Sequence, residues 1–332
     1  MFTVPPRISR GRALGAVAGL VVLGLLAWWL APLRAATPSG SVTFSTGVTT
    51  GVYQRYGTLL KEDLARDLPR VSVDLRDSEG SQQNLARVAT GDADFTIATA
   101  DAVAKYQKDR RPGADGLRGC ARLYDDYVQL IAAKSAGISS VAGLRGKKVG
   151  VGQEGSGVRL LAERILTAAG LDPDQDISPV LAGIDTMPQL LEEGDLDAFF
   201  WSGGLPTTAV EKLSERYDIR LVPLDAALVE KLHTSGGASA RYYRSAEIPA
   251  DAYGKIRNSA PVPTVAVANL LVTDDRIDPD LVEGFTRTVI KSRDRIGHQV
   301  HPAQLVDLRT AIYTAPLPLH KGAQRYYQSV KP

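Results

Sequence analysis

Two stretches of this chain follow one plan, and that repeat limits the fold more than any other feature. The first copy starts with an apolar strand pattern from Ser41 to Ser45 and the glycine loop Thr46-Gly47-Val48-Thr49-Thr50-Gly51. A helical pattern opens near Tyr53, and Val88-Ala89-Thr90-Gly91-Asp92-Ala93-Asp94-Phe95 closes the copy. The second has a strand from Lys148 to Val151, the loop Gly152-Gln153-Glu154-Gly155-Ser156-Gly157, a helix to Ala169, and Leu191-Glu192-Glu193-Gly194-Asp195-Leu196-Asp197-Ala198. Gly47 and Gly91 stand 44 residues apart, Gly152 and Gly194 42 apart. A strand, a glycine turn and a helix in this order predict two α/β lobes of one design, with ligand-facing loops at the carboxyl edge of each sheet and a cleft between them.

Periodicity supplies the elements. Val42 and Phe44, Val71, Val73 and Leu75, and Phe95 and Ile97 alternate as strands do. Val158, Leu161, Ala162, Ile165, Leu166 and Ala169 lie on one helical face, and Gly170 follows as a stop. The sheets are expected to be mainly parallel. At 332 residues the chain exceeds the roughly 250–300 at which one core stops growing. The apolar stretch Val262 to Val272 is long enough to return to the first lobe, and a helix over Pro279 to Arg295 would complete it. The expected division is residues 41–131 with 267–332 as lobe one and 132–266 as lobe two. A strand at Tyr127 to Ala133 and the segment Pro261-Val262-Pro263 would be the crossover hinges.

Ahead of the lobes, Arg7, Arg10 and Arg12 precede an uninterrupted apolar run from Ala13 to Ala31 containing Trp28 and Trp29. Residues 1–36 read as a signal peptide or a signal anchor, with cleavage and retention both open. Positive charge before the run places the remainder outside the cytoplasm, in the periplasm or on the outer face of the membrane. Four arginines and no acidic residue fall within residues 1–36, so the formal charge of +2 becomes −2 for the body. A basic nucleic-acid footprint is therefore absent. Cys120 is the one cysteine and reads as a lone structural thiol.

Gly150-Val151-Gly152-Gln153-Glu154-Gly155 matches G-x-G-x-x-G between a strand and a helix. Three readings stand: a dinucleotide loop, a glycine loop offering backbone N–H groups to an anion, and a structural turn. The acidic partner of a dinucleotide is poorly placed, because Asp172, Asp174 and Asp176 sit in a Pro-containing loop. His298 and His301 stand beside Arg293 and Arg295 and lack a nearby cysteine, so no metal is expected. No nucleophile and base assemble into a catalytic motif, and no cofactor is expected. Trp201-Ser202-Gly203-Gly204-Leu205-Pro206 is either a turn with Trp201 in the core or a cleft wall, with Pro206 suited to the first turn of the next helix.

Five blocks in order resemble the TAXI-type solute-binding subunits of TRAP transporters. They are Thr46 through Tyr53; Gly80-Ser81-Gln82-Gln83-Asn84-Leu85 with Gly91-Asp92-Ala93-Asp94; and Leu144 through Gly157 with Ala162-Glu163-Arg164-Ile165-Leu166. Asp197-Ala198-Phe199-Phe200 through Pro206, and Pro318 through Ala323 with Arg325-Tyr326-Tyr327, complete the match. The resemblance spans nearly all of residues 41 to 328. It implies a two-lobed type II periplasmic-binding-protein fold (a venus flytrap), here preceded by an N-terminal hydrophobic helix. It further implies a non-enzymatic receptor that captures a small carboxylate or an amino acid such as glutamate for a TRAP permease. By motif match the site would use Gly47, Thr49, Thr50, Gly51 and Tyr53, with Ser81 and Thr99. The opposing lobe would offer Gln153, Ser156, Gly157, Trp201, Ser202 and Gly203.

The chain departs from the family at Gln54 and Arg55, which replace a tyrosine and a proline, at Glu154, and at Thr99-Ala100-Asp101. Arg55 would pair with a carboxylate and Glu154 with an amine, or both are solvated rim charges. Two other readings remain: a membrane-tethered sensor domain, and a cleft enzyme using the G-x-G-x-x-G loop.

Overall fold

Strand alternation sets the opening of the fold as expected: β1 (Gly40–Ser45) buries Val42 and Phe44. The computed structural model describes residues 38–256 and 260–330. The expected export segment and its apolar helix lie outside the described residues. Among the described residues, no helix is long and apolar enough to cross a membrane. Helix α1 (Val52–Asp67) packs Tyr56, Leu59, Leu60 and Leu64 inward, a 3-4-8 spacing that keeps one face on the sheet. Strands β2 (Val71–Arg76) and β3 (Phe95–Thr99) flank β1 in parallel, separated in sequence by α2 (Ser81–Thr90). Helix α3 (Ala100–Lys108) follows β3 directly.

The chain then enters β4 (Leu117–Ala133), a 17-residue strand with no exposed position. Next come β5 (Lys148–Gly150), α4 (Gly157–Ala168), β6 (Ser178–Val180), α5 (Met187–Glu193) and β7 (Ala198–Gly203). After them lie α6 (Thr208–Arg216), β8 (Ile219–Val222), α7 (Ala226–Ser235) and β9 (Tyr243–Ile248). The 13-residue β10 (Val262–Asp274) runs back, followed by α8 (Pro279–Lys291), α9 (Arg293–Gly297), α10 (Leu308–Ala311) and α11 (Lys321–Val330).

All ten strands join one sheet in the order β2-β1-β3-β10-β4-β7-β5-β6, with β8 on β4 and β9 on β10. The sheet is mixed, and this corrects the expectation of mainly parallel sheets. Pairing is parallel within each outer block, but β10 runs antiparallel to β3 and β4, and β4 antiparallel to β7. The long strands cross between blocks in opposite directions, so their contacts have to be antiparallel.

Apolar clusters divide along the same strands. Phe44, Phe95 and Phe285 belong to one cluster that includes β4 up to Tyr124, while Val128 and Leu130 of β4 belong to another with Phe200 and Val267. Phe95 and Phe285 stack with centroids 4.0 Å apart, and each buried phenylalanine contributes roughly 1.5–3 kcal/mol of transfer free energy. Cys120 lies inside the first cluster, where burial raises its thiol far above the usual range and leaves it inert.

Three local expectations shift. The helix expected over Pro279 to Arg295 is interrupted at Ser292. Pro206 precedes the N-cap Thr207 of α6 instead of opening its first turn. Pro261-Val262-Pro263 marks only the start of β10, where Val262 pairs with Ile248; the part of β10 facing β4 begins at Ala266.

Candidate functional site

The carboxyl ends of β1 and β3 face those of β5 and β7 across an inner cavity of ≈ 70 Å³. That is room for on the order of five waters at ~10–15 Å³ each. Gly47, Gly51 and Tyr53 contribute from the first loop and helix, Ser81 from the start of α2, and Thr99 from the end of β3. The opposite side contributes Gln153, Ser156 and Gly157 from the second loop and Trp201 and Ser202 from β7. Thr49 and Thr50 lie elsewhere, with Arg55, in an adjoining outer cavity of ≈ 630 Å³. Gly203 lines neither; a Cβ there would stand 2.6 Å from the Trp201 indole nitrogen, so it seats that ring. Trp201 is thus a cleft wall, its indole N–H donating to Thr207 Oγ1 at 3.2 Å.

Helix starts surround the inner space. Val52 and Tyr53 belong to the first turn of α1, Ser81 opens α2, Thr99 caps α3, and Gly157 and Val158 open α4. Such termini carry partial positive charge and favour an anionic group. Gly152 and Gly155 take φ of +85° and +78°, a region glycine enters without strain. The G-x-G-x-x-G loop is therefore a turn that brings α4 to the cleft. Asp172, well outside the cavity, accepts from the backbone N–H of Asp174 and Gln175 at 2.9 and 3.1 Å.

The two walls also touch directly. The backbone N–H groups of Gln82 and Gln83 both donate to Gly155 O at 3.1 Å, and Gln82 Nε2 donates to Ser156 O at 2.8 Å. Gly157 approaches so closely that a Cβ would lie 3.1 Å from Ser81 Oγ. Farther along the cleft, Arg164 of α4 reaches Asp101 of α3 at 3.2 Å, and Tyr243 Oη donates to the same carboxylate at 2.7 Å.

Sequence reasoning missed the floor residue of the cavity and the acceptor behind Tyr53. Asp126 of β4 lines it, and Asn269 of β10 accepts a 2.5 Å hydrogen bond from Tyr53 Oη. Tyr53 Oη also lies 3.2 Å from Ser81 Oγ, which accepts from Thr99 N–H at 3.2 Å. The ladder between β10 and β4 slips between Ala268 and Leu270, and such irregularities re-aim side chains beside functional sites. Burial pushes the Asp126 carboxyl up to about 7; the Asn269 amide opposes this, and the charges of Asp125 and Asp101 add to it. Asp126 Oδ1, Asn269 Nδ2, Thr99 Oγ1 and Ser202 Oγ are all buried without a hydrogen-bond partner among the described residues. Leaving such groups unmet costs about 1–3 kcal/mol each. The available signal was a polar residue inside an apolar crossing strand, Asp126 before Tyr127-Val128 and Asn269 before Leu270-Leu271. Arg55 is engaged by Gln299 in the outer cavity, and Glu154 is exposed outside both, so neither reaches the inner space.

Residues 44–330 match the model of the NMT1-like family. The chain belongs to the NMT1-like family. Among solved structures, this NMT1-like chain is similar to a putative L-cystine ABC transporter protein from Listeria monocytogenes. That likeness has a TM-score of 0.51 at 13% identity and covers 80% of this chain and 98% of that one. A Xanthomonas citri protein bound to ATP gives 0.50 at 12% identity, over 88% and 100%. The periplasmic aliphatic sulphonate binding protein of Escherichia coli gives 0.47 at 15%, over 89% and 84%. The fold is the α/β periplasmic-binding-protein-like fold with a mixed sheet.

Proposed function

We propose that this NMT1-like protein is an extracytoplasmic solute receptor that closes on a small carboxylate or amino-acid-like solute and presents it to a TRAP-type permease. The observation that carries the reading is the group of buried, unpartnered polar atoms around a small cavity between two walls joined by direct hydrogen bonds. Four helix starts supply one pole for a carboxylate. The sequence resemblance to TAXI subunits supports the TRAP assignment, and the likeness to the putative L-cystine transporter protein of Listeria supports an amino-acid class of solute. In this reading residues 41–131 with 267–332 and residues 132–266 are the moving lobes, β4 and β10 are their hinge, and residues 13–31 direct export or tether the protein. Gly47, Gly51, Tyr53, Ser81, Thr99, Gln153, Ser156, Gly157, Trp201 and Ser202 form the binding wall. Thr49 and Thr50 line the entrance, and Gly203 acts by seating Trp201.

The test is a thermal-shift screen of the full chain against amino acids, keto acids, dicarboxylates, sulfonates and organic amines. A ligand at a hundred times its Kd raises stability by about 2.7 kcal/mol. We expect a clear rise in melting temperature with one class, confirmed by calorimetry. No shift with any of them would reject the receptor reading.

A further inference from the structure

Three carboxylates lie near one another, and two of them have a cationic partner. Asp101 is met by Arg164 and Tyr243. Asp125 is met by Arg122 at 2.5 Å and by Arg244. Asp126 is only 4% exposed, lines the cavity and has no cationic partner among the described residues; the Asn269 amide acts on the carboxyl, yet Oδ1 makes no hydrogen bond. Among the described residues no lysine or arginine lines that cavity, and the other acidic lining residue is Glu79, at the exposed edge. A buried carboxylate with no counter-charge is among the most expensive groups a fold can carry, and pairing is what relieves it.

We infer that Asp126 is the counter-charge for an ammonium group on the solute, so that the cleft selects amine-bearing solutes over amine-free analogues and releases a proton when it binds them. The inference rests on the receptor reading and narrows its solute class. The helix starts take the carboxylate at the walls, and Asp126 takes the ammonium at the floor.

Proton release follows from the sign of the linkage. In the free protein Asp126 holds a proton below about pH 7 because burial raises its pKa, and the neighbouring charges of Asp125 and Asp101 push the same way. Tyr53 of α1 and Tyr124 of β4 interact with Asp126 but are themselves raised well above 10 and stay neutral. Asn269 from β10 and Ser202 from β7 do not titrate. A bound ammonium favours the carboxylate and lowers that pKa. Binding below pH 7 must therefore expel a proton to solvent, and affinity falls by up to about tenfold for each pH unit lost below 7. Above that pH the carboxylate is already charged and affinity levels off.

The experiment is calorimetry on the full chain with matched pairs of one skeleton, L-glutamate against 2-oxoglutarate, L-alanine against pyruvate, and L-leucine against 4-methyl-2-oxopentanoate. It is run at pH 5.5 and 8 in buffers of different ionisation heat, on the native protein and on Asp126→Asn. We expect the amino member of a pair to bind at least about 100-fold tighter at pH 8 and to release a proton at pH 5.5. In Asp126→Asn the preference and the proton release should both vanish while the melting temperature holds. A keto acid that binds as well as its amino partner, or an amino acid whose affinity survives Asp126→Asn, overturns the inference and leaves the receptor reading standing. If no member of any pair binds, the inference falls, and if the wider screen is also flat, the receptor reading falls with it.

Discussion

The two glycine loops share a sequence plan and meet different physical demands. In the first, neither Gly47 nor Gly51 takes positive φ. Gly47 is small because a Cβ would lie 3.3 Å from Tyr53 Cβ, at the start of the helix that follows it. In the second, Gly152 and Gly155 take left-handed backbone and Gly157 abuts the opposite wall. The second loop also supplies the carbonyls that meet Gln82 and Gln83 across the cleft, whereas Thr49 and Thr50 of the first are exposed at its mouth. A repeat in sequence thus fixed the turn and the helix start in both halves but not the job of each loop. One loop packs on its own tyrosine, and the other bonds to the opposite wall.

Breaking this contrast should affect Gly157 most. Gly157→Val places a branched side chain against Ser81 and Thr99, so affinity for the solute found by screening should fall at least about 100-fold. If the proposed lobes open in the free protein, its melting temperature should change little. Unaltered affinity would show that the second loop does not close the site. Next in size is the pair Gly152→Ala and Gly47→Ala. A Cβ on Gly152 meets Arg159 N and Val158 Cβ at 2.8 Å, with φ at +85°, so chemical denaturation should show a loss of about 2 kcal/mol or more. Gly47→Ala should cost less than about 1 kcal/mol, and equal losses would erase the distinction. The smallest effect is Gln82→Ala, which removes one bond to Ser156 O. Titration should show affinity weakened about fivefold, the ~1 kcal/mol worth of a neutral hydrogen bond.

Much of the site wall was legible because its signals are local. Glycine loops, Ser and Thr at helix starts, and the aromatic leaving β7 announce a turn whatever lies opposite. Tyr53, Ser81, Ser156 and Trp201, which the resemblance to TAXI subunits implies for the site, all line the inner cavity. Gly203, implied by the same resemblance, lines neither cavity, because adjacency along the backbone does not say which side of Trp201 a residue occupies. Arg55 and Glu154 attract notice in sequence as charges beside a motif, yet the chain turns both away from the inner space.

By itself the sequence determined the order of strands and helices, the two glycine turns, and the return of the chain through an apolar strand, because each follows from spacing and turn chemistry within a few residues. Only the tertiary structure decided that the ten strands of the described residues share one mixed sheet, that Asp126 lines the small cavity, and that Asn269 stands behind it as the acceptor of Tyr53. Those outcomes depend on the register between β4 and β10, strands more than a hundred residues apart in sequence, and on a slip in their ladder at Asn269. A one-residue change in register turns a strand's side chains to the opposite face, and no local pattern in either strand contains that information.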